Sequence, residues 1–106
     1  MPAKKGKVNK VMPPIHPGEV LREDFLKPLG LSVNRVAMDL HVPVTRMNDI
    51  ARGRRSITAD TALRLARYFG TDAQFWLNLQ SHYDLELAAD QLGATIEEQV
   101  RPLQAA

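Results

Sequence analysis

Five stretches of this chain repeat apolar residues at helical spacing, and each is bounded by residues that start or stop a helix. After His16-Pro17-Gly18, the residues Val20, Leu21, Phe25 and Leu26 share one face, while Glu19, Glu23 and Asp24 lie towards the positive end of the helix dipole. This predicts a first helix over about 17–27, ended by Pro28, which has no N–H to give, and by Gly30, which accepts positive φ. Ser32 offers the short hydroxyl of an N-cap, and Val36, Ala37 and Leu40 make the buried face of a second helix over 33–40. A His41-Val42 turn leads to a third helix over 43–52, where Pro43 suits the first position, Met47 and Ile50 face inward and Gly53 is the stop. Thr58 is placed to cap a fourth helix over 59–69, with Ala62, Leu63, Leu65, Ala66 and Phe69 as its stripe. Thr71 and Gln74 have capping-box spacing ahead of a fifth helix over 72–90, on one side of which fall Phe75, Trp76, Leu79, Tyr83 and Leu87. Past Gly93 the periodicity weakens, and Ile96, Val100 and Leu103 are expected to form no more than a frayed piece.

The pattern predicts an all-α fold, and 106 residues leave room for one domain. The expected organisation is a flexible basic arm at 1–14, a five-helix domain over 15–90 and a short C-terminal tail over 91–106. The arm rests on MPAKKGKVNKVMPP, whose Pro, Gly and Lys bury too little surface to offset ordering entropy. Charge sharpens the picture, because a formal net charge of +2 hides a strong segregation. Residues 1–12 carry four lysines and no acid, residues 13–70 nine bases against six acids, and residues 71–106 one arginine against six acids. A polyanion is drawn to the first two segments and repelled by the third.

Other chemistries find little support. There is no cysteine, which excludes a disulfide framework, thiol catalysis and a cysteine-ligated zinc site. His16, His41 and His82 stand 25 and 41 residues apart, a separation that matches no local ligand spacing, so neither a metal nor another cofactor is expected. Glu19, Glu23 and Asp24 read as dipole complements rather than a catalytic pair, and no Ser/His/Asp set or Gly-rich phosphate loop occurs, so the chain is not expected to be an enzyme. No apolar run approaches the roughly 18 to 20 residues that cross a bilayer. A cytoplasmic protein is expected.

The second and third helices, two to three turns each with a tight turn between them, have the proportions of a helix-turn-helix. With Met47 and Ile50 turned to the core, a rotation of about 100° per residue sends Val44, Thr45, Asn48 and Asp49 outward, with Arg46 and Arg52 on the flanks. Such a face suits the edges of base pairs: Thr45 and Asn48 hydrogen-bond to them, Val44 meets a thymine methyl, Asp49 accepts from cytosine, and Arg46 pairs with guanine or phosphate. Arg54 and Arg55 follow on a loop, where with Arg52 they would hold phosphates, and Ser32 and Asn34 would do so at the start of the second helix. Phe75, Trp76, Leu79 and Tyr83 are read as core plus dimer contact, and a two-fold dimer would set two third helices about 34–36 Å apart, one turn of DNA.

LSVNRVAMDLHVPVTRMNDIARGRRSITADTALRLARYFG resembles the XRE family of helix-turn-helix domains, whose fold is lambda-repressor-like and Cro-type. The flanking HPGEVLREDFLKPLGLS and FGTDAQFWLNLQSHYDLELA are similar to antitoxins of the HigA or VapI type, which carries the resemblance over residues 15–90. The resemblance implies a homodimer that binds operator DNA in its own promoter, represses its operon and neutralises a ribonuclease toxin of the HigB/RelE type. A stand-alone XRE-type repressor without a toxin, and a pure protein-interaction inhibitor, are the alternatives. The lysine arm is a solubilising tail, a follower of the DNA backbone or a toxin contact. Two positions depart from the family pattern: His41 stands where the turn usually has Gly, and Val33 replaces a frequent Gln. Histidine enters the left-handed region more readily than most residues, so the turn should survive.

Overall fold

His16 opens the first helix by taking the Gly18 N–H on its Nδ1 at 2.9 Å, in an extended conformation that hands over to Pro17 at the first helical position. The computed structural model describes residues 12–104, so the arm expected at 1–14 lies outside it but for its last three residues. Three stretches, Pro17–Val20, Leu21–Leu26 and Lys27–Leu29, follow without a break and together form α1. The middle stretch is wound as a π-helix, in which the Lys27 N–H reaches back five residues to the Arg22 carbonyl. Pro28 therefore lies inside α1, against the expectation that it would end the helix. A proline removes one α-type bond and crowds the carbonyl four residues back, and the wider winding immediately before it relieves that crowding. The stop is Gly30, left-handed at φ 65, whose N–H donates to the Lys27 carbonyl at 3.1 Å.

The next two helices are α2, Val33–Leu40, and α3, Val44–Ala51. Ser32 caps α2 as expected, its Oγ accepting the Arg35 N–H at 3.0 Å. His41 closes α2 at φ 60, the left-handed role foreseen for it, with its N–H on Met38 and that of Val42 on Ala37. Pro43 sits one position ahead of α3 rather than within it. Beyond come α4, Ala59–Phe69, and α5, Ala73–Gln99. Thr58 makes no side-chain cap bond, against expectation, and the Thr71 hydroxyl oxygen accepts the indole N–H of Trp76 at 2.8 Å. Among the described residues every element is helical, and no helix is long and apolar enough to cross a membrane.

The chain divides into two units. In the first, Ile15–Tyr83, one core gathers Leu21 and Leu26 of α1, Val36, Ala37 and Leu40 of α2, Met47 and Ile50 of α3, Ile57, Ala62 and Leu65, and Trp76 of α5. Burying a large apolar side chain contributes about 1.5–3 kcal/mol before entropy is charged against it, so this cluster dominates the unit's stability. Phe25 bridges α1 to the far side, its ring 5.0 Å from those of both Phe69 and Trp76. Ala37 has no exposed surface, which fits the close crossing of α2 and α3 that its small size predicts.

The second unit contains α5 from Asp84 onward. The helix does not stop near 90; it runs through Gly93 to Gln99. A glycine inside a helix costs about 1 kcal/mol relative to alanine, a cost that good helix formers such as Ala88, Ala89, Leu92, Ala94 and Glu97 offset. Leu85, Leu92 and Ile96, spaced seven and four apart on one helical face, are 71%, 50% and 50% exposed.

Candidate nucleic-acid interface

Along α3 the inward positions fall as the periodicity predicts, and of the four residues expected outward Val44 and Thr45 are exposed while Asn48 and Asp49 are only partly so. Met47, Ile50 and Ala51 are buried, Val44 and Thr45 are exposed, and Arg46, Asn48 and Asp49 are half-buried at the edges of the exposed face. Arg52, Arg54 and Arg55 are all exposed on the loop that follows. Asp49 and Arg54 lie side by side, with carboxylate and guanidinium 3.8 Å apart and the Arg54 N–H on the Asp49 carbonyl at 2.8 Å. Ser32 and Asn34 are exposed at the start of α2. The Ser32 oxygen is occupied as a cap acceptor, which leaves its O–H free to donate to a phosphate.

What holds this face in place comes from residues that periodicity does not single out. Gly18 of α1 lies against the backbone of α3: a Cβ there would fall on the Ile50 carbonyl oxygen, with the carbonyl carbons of Ile50 and Ala51 only 2.9 and 3.2 Å away. Arg22 donates from Nη1 to the Ala51 carbonyl, satisfying an orphan acceptor at the C-terminus of α3. Arg64 of α4 does the same for α2, its Nη1 donating to the Leu40 carbonyl at 2.8 Å. Gln80, 6% exposed on α5, accepts the Ile57 N–H at 2.8 Å and so pins the end of the arginine loop to the core. A signal for Gln80 was present, since it follows Trp76 by four residues on the buried face, where an amide persists only with a partner.

Two carboxylates tie the helices together. Asp39 of α2 accepts the Tyr68 hydroxyl at 2.5 Å and Arg35 Nε at 2.8 Å. Asp60 of α4 accepts Arg46 Nη1 at 2.6 Å and Arg64 Nε at 3.2 Å. The hydrogen bond from Tyr68, with Arg35 adding to it, holds the Asp39 carboxyl below its ordinary 3.8; Arg46 and then Arg64 do the same for Asp60. A lowered folded-state value means stability that is present above the unfolded value and lost as pH falls through the folded one. Thermal melts should therefore hold steady down to about the ordinary carboxylate range and drop below it. Asp39→Asn with Asp60→Asn should flatten that acid limb; an acid limb as steep as the parent's would show that other groups cause it.

A family model described as a helix-turn-helix covers residues 23–76, which takes in α2 and α3 and most of the elements packed on them. The chain belongs to the XRE-type helix-turn-helix family. Virulence-associated protein I of Dichelobacter nodosus is 64% identical over 77 residues, 73% of this chain and 71% of that protein. Among solved structures, the Pseudomonas aeruginosa antitoxin HigA with the higBA promoter matches at a TM-score of 0.84 and 49% identity, over 86% of this chain and 99% of that one. The antitoxin GraA in complex with its operator matches at 0.83 and 46%, over 89% and 95%.

For this helix-turn-helix protein, the aromatic cluster on α5 needs one correction. Trp76, expected to share in a dimer contact, is 0% exposed, because its ring fills the core between Phe25 and Phe75 and its N–H is spent on Thr71. It has no surface to offer a second copy. Phe75 is 37% exposed, and Leu79 and Tyr83 are half-buried, Tyr83 lying 4.9 Å edge-on from the His16 ring.

Proposed function

We propose that this protein is the antitoxin of a two-gene module, an autorepressor that binds operator DNA as a homodimer and neutralises a ribonuclease toxin of the HigB/RelE type in the cytoplasm. The single observation that carries the DNA-binding part is the outer face of α3. Thr45, Asn48 and Asp49 stand beside exposed Val44, with three exposed arginines at the helix end, in a fold that matches an antitoxin solved with its promoter. Base edges are read from α3 by Val44, Thr45, Asn48 and Asp49, and the duplex is held by phosphate contacts from Arg52, Arg54, Arg55, Ser32 and Asn34. Dimerisation runs through the part of α5 that belongs to the first unit, by way of Phe75, Leu79 and Tyr83. A two-fold axis through that helix would present the same apolar surface twice.

The test is a titration of labelled DNA from upstream of the gene against a scrambled duplex at about 150 mM salt, where nonspecific binding is weakened. Preference for the upstream DNA is expected. Arg54→Ala should weaken both duplexes and reduce the salt slope by about 0.9, whereas Asn48→Ala should cost about 1–3 kcal/mol of discrimination. Equal, weak binding to both duplexes would sink the repressor reading. A monomeric mass by light scattering would sink the dimer, and failure to form a complex with the product of the adjacent reading frame would leave a repressor without a toxin.

A further inference from the structure

Arg46 is the third residue of α3, one position from Thr45 and two from Asn48, on the helix that reads DNA in the function proposed above. A guanidinium at that place is well suited to seize a phosphate, and a phosphate is present at every nucleotide whatever its base. Such a contact adds affinity to all sequences alike and dilutes discrimination. The arginine is not at liberty, however. Its Nη1 lies 2.6 Å from Asp60 Oδ2, and its side chain is 29% exposed.

The post to which it is tied is itself fixed. Asp60 occupies the first turn of α4, where the helix dipole favours a negative charge. Both its oxygens accept Arg64 Nε at 3.2 Å, and Arg64 is anchored through Nη1 to the Leu40 carbonyl at the end of α2. Three elements thus meet at one carboxylate: α3 through Arg46, α4 through Asp60 and Arg64, and the end of α2 through Leu40. The carboxyl is held below its ordinary value by Arg46 first and Arg64 second, so it is ionised throughout the neutral range. Arg46 and Asp60 line a cleft of about 420 Å³ with Arg55, Ser56, Thr58 and Thr61, beside the arginine loop. A phosphate entering that cleft would have to displace the Asp60 carboxylate from Arg46 against the repulsion of like charges.

We infer that Asp60 is a specificity-determining residue that acts through Arg46: by tethering this guanidinium, it withholds it from nonspecific phosphate contact and leaves discrimination to Val44, Thr45, Asn48 and Asp49. This rests on the DNA-reading function of α3 and adds a restraint to it. Asp60 is a positioning residue, since on this view it touches no base.

The experiment measures binding of the full chain to the upstream duplex and to a scrambled duplex over a salt series. With Asp60→Asn, which keeps the side chain's size and removes its charge, the scrambled duplex should be bound several-fold more tightly. The plot of log K against log salt should steepen by about 0.9 for each arginine released to a phosphate. The ratio of upstream to scrambled affinity should fall. Adding Arg46→Gln to Asp60→Asn should remove the added steepness, and Asp60→Glu, which restores the charge, should return the slope towards the parent value. A merely structural loss would weaken both duplexes in parallel without steepening either plot, and that outcome overturns the inference, as does an unchanged slope. Thermal melts of each variant confirm that folded protein is compared. If the parent shows no preference for the upstream duplex, it is the DNA-reading function that has failed, and the inference falls with it before any variant is measured.

Discussion

Gly18→Ala is expected to destabilise the protein by about 3 kcal/mol and to abolish operator binding at concentrations that saturate the parent. The added methyl has nowhere to go, because it would land on the Ile50 carbonyl oxygen, and that carbonyl belongs to the backbone of α3 rather than to a movable side chain. Alanine gains about 0.5–1 kcal/mol over glycine in helix propensity, so the sign of the result separates the two effects. Steric exclusion wins if α1 must move off α3 by enough to accept a methyl group. For a domain of this size a loss of about 3 kcal/mol lowers Tm by roughly 12–24 °C. The functional loss should exceed the stability loss, since α3 is the element displaced and a shift of about 1 Å is enough to misalign hydrogen bonds to bases. A melt within about 0.5 kcal/mol of the parent's would mean that α1 and α3 do not approach so closely in solution.

Gln80→Leu should cost about 1–3 kcal/mol, the range for stranding a buried donor, here the N–H of Ile57. The leucine fills a similar volume, so a cavity is not the cause. The affected backbone is the end of the Arg52–Arg55 loop, and releasing it should weaken binding to upstream and scrambled DNA together if, as proposed, those arginines hold phosphates rather than read bases. Hydrogen exchange at the Ile57 amide is the direct reporter: protection should fall in Gln80→Leu more than it falls for the buried α2 amides. Equal protection at Ile57 in both proteins would rule out Gln80 as the loop's anchor. Gln80→Glu keeps an acceptor but places a carboxylate in a buried site, and an intermediate loss is expected.

Legibility in the sequence varied with the range of the interaction. The bounds of α2, α3 and α4 agree with expectation to within a residue or so, because caps such as Ser32 and stops such as Gly53 and Gly70 act over three or four positions. His41 was legible for the same reason, its left-handed turn being a local property. Both large departures arose where a local rule met a counterweight. Pro28 did not end α1, since the turn before it widened, and α5 did not end near residue 90, since its residues around Gly93 favour helix. The sequence leaves a dimer role open for Trp76, because an aromatic residue on an apolar stripe looks the same whether its own core or a second copy covers it; the fold leaves it no exposed surface.

By itself the sequence determined the helical class, most of the inward positions, with Leu63 of α4 an exception at 63% exposed, and the exposure of Val44 and Thr45, since a helix repeats every 3.6 residues and solvent sorts the two sides. Only the tertiary structure decided what seats that outward set: Asp60 meets Arg46 across 14 residues, Gln80 meets Ile57 across 23, and Arg22 meets Ala51 across 29. Each of these contacts joins distant segments of the chain, and the separation along the chain at which two groups meet is set by how the helices pack, which no local periodicity encodes.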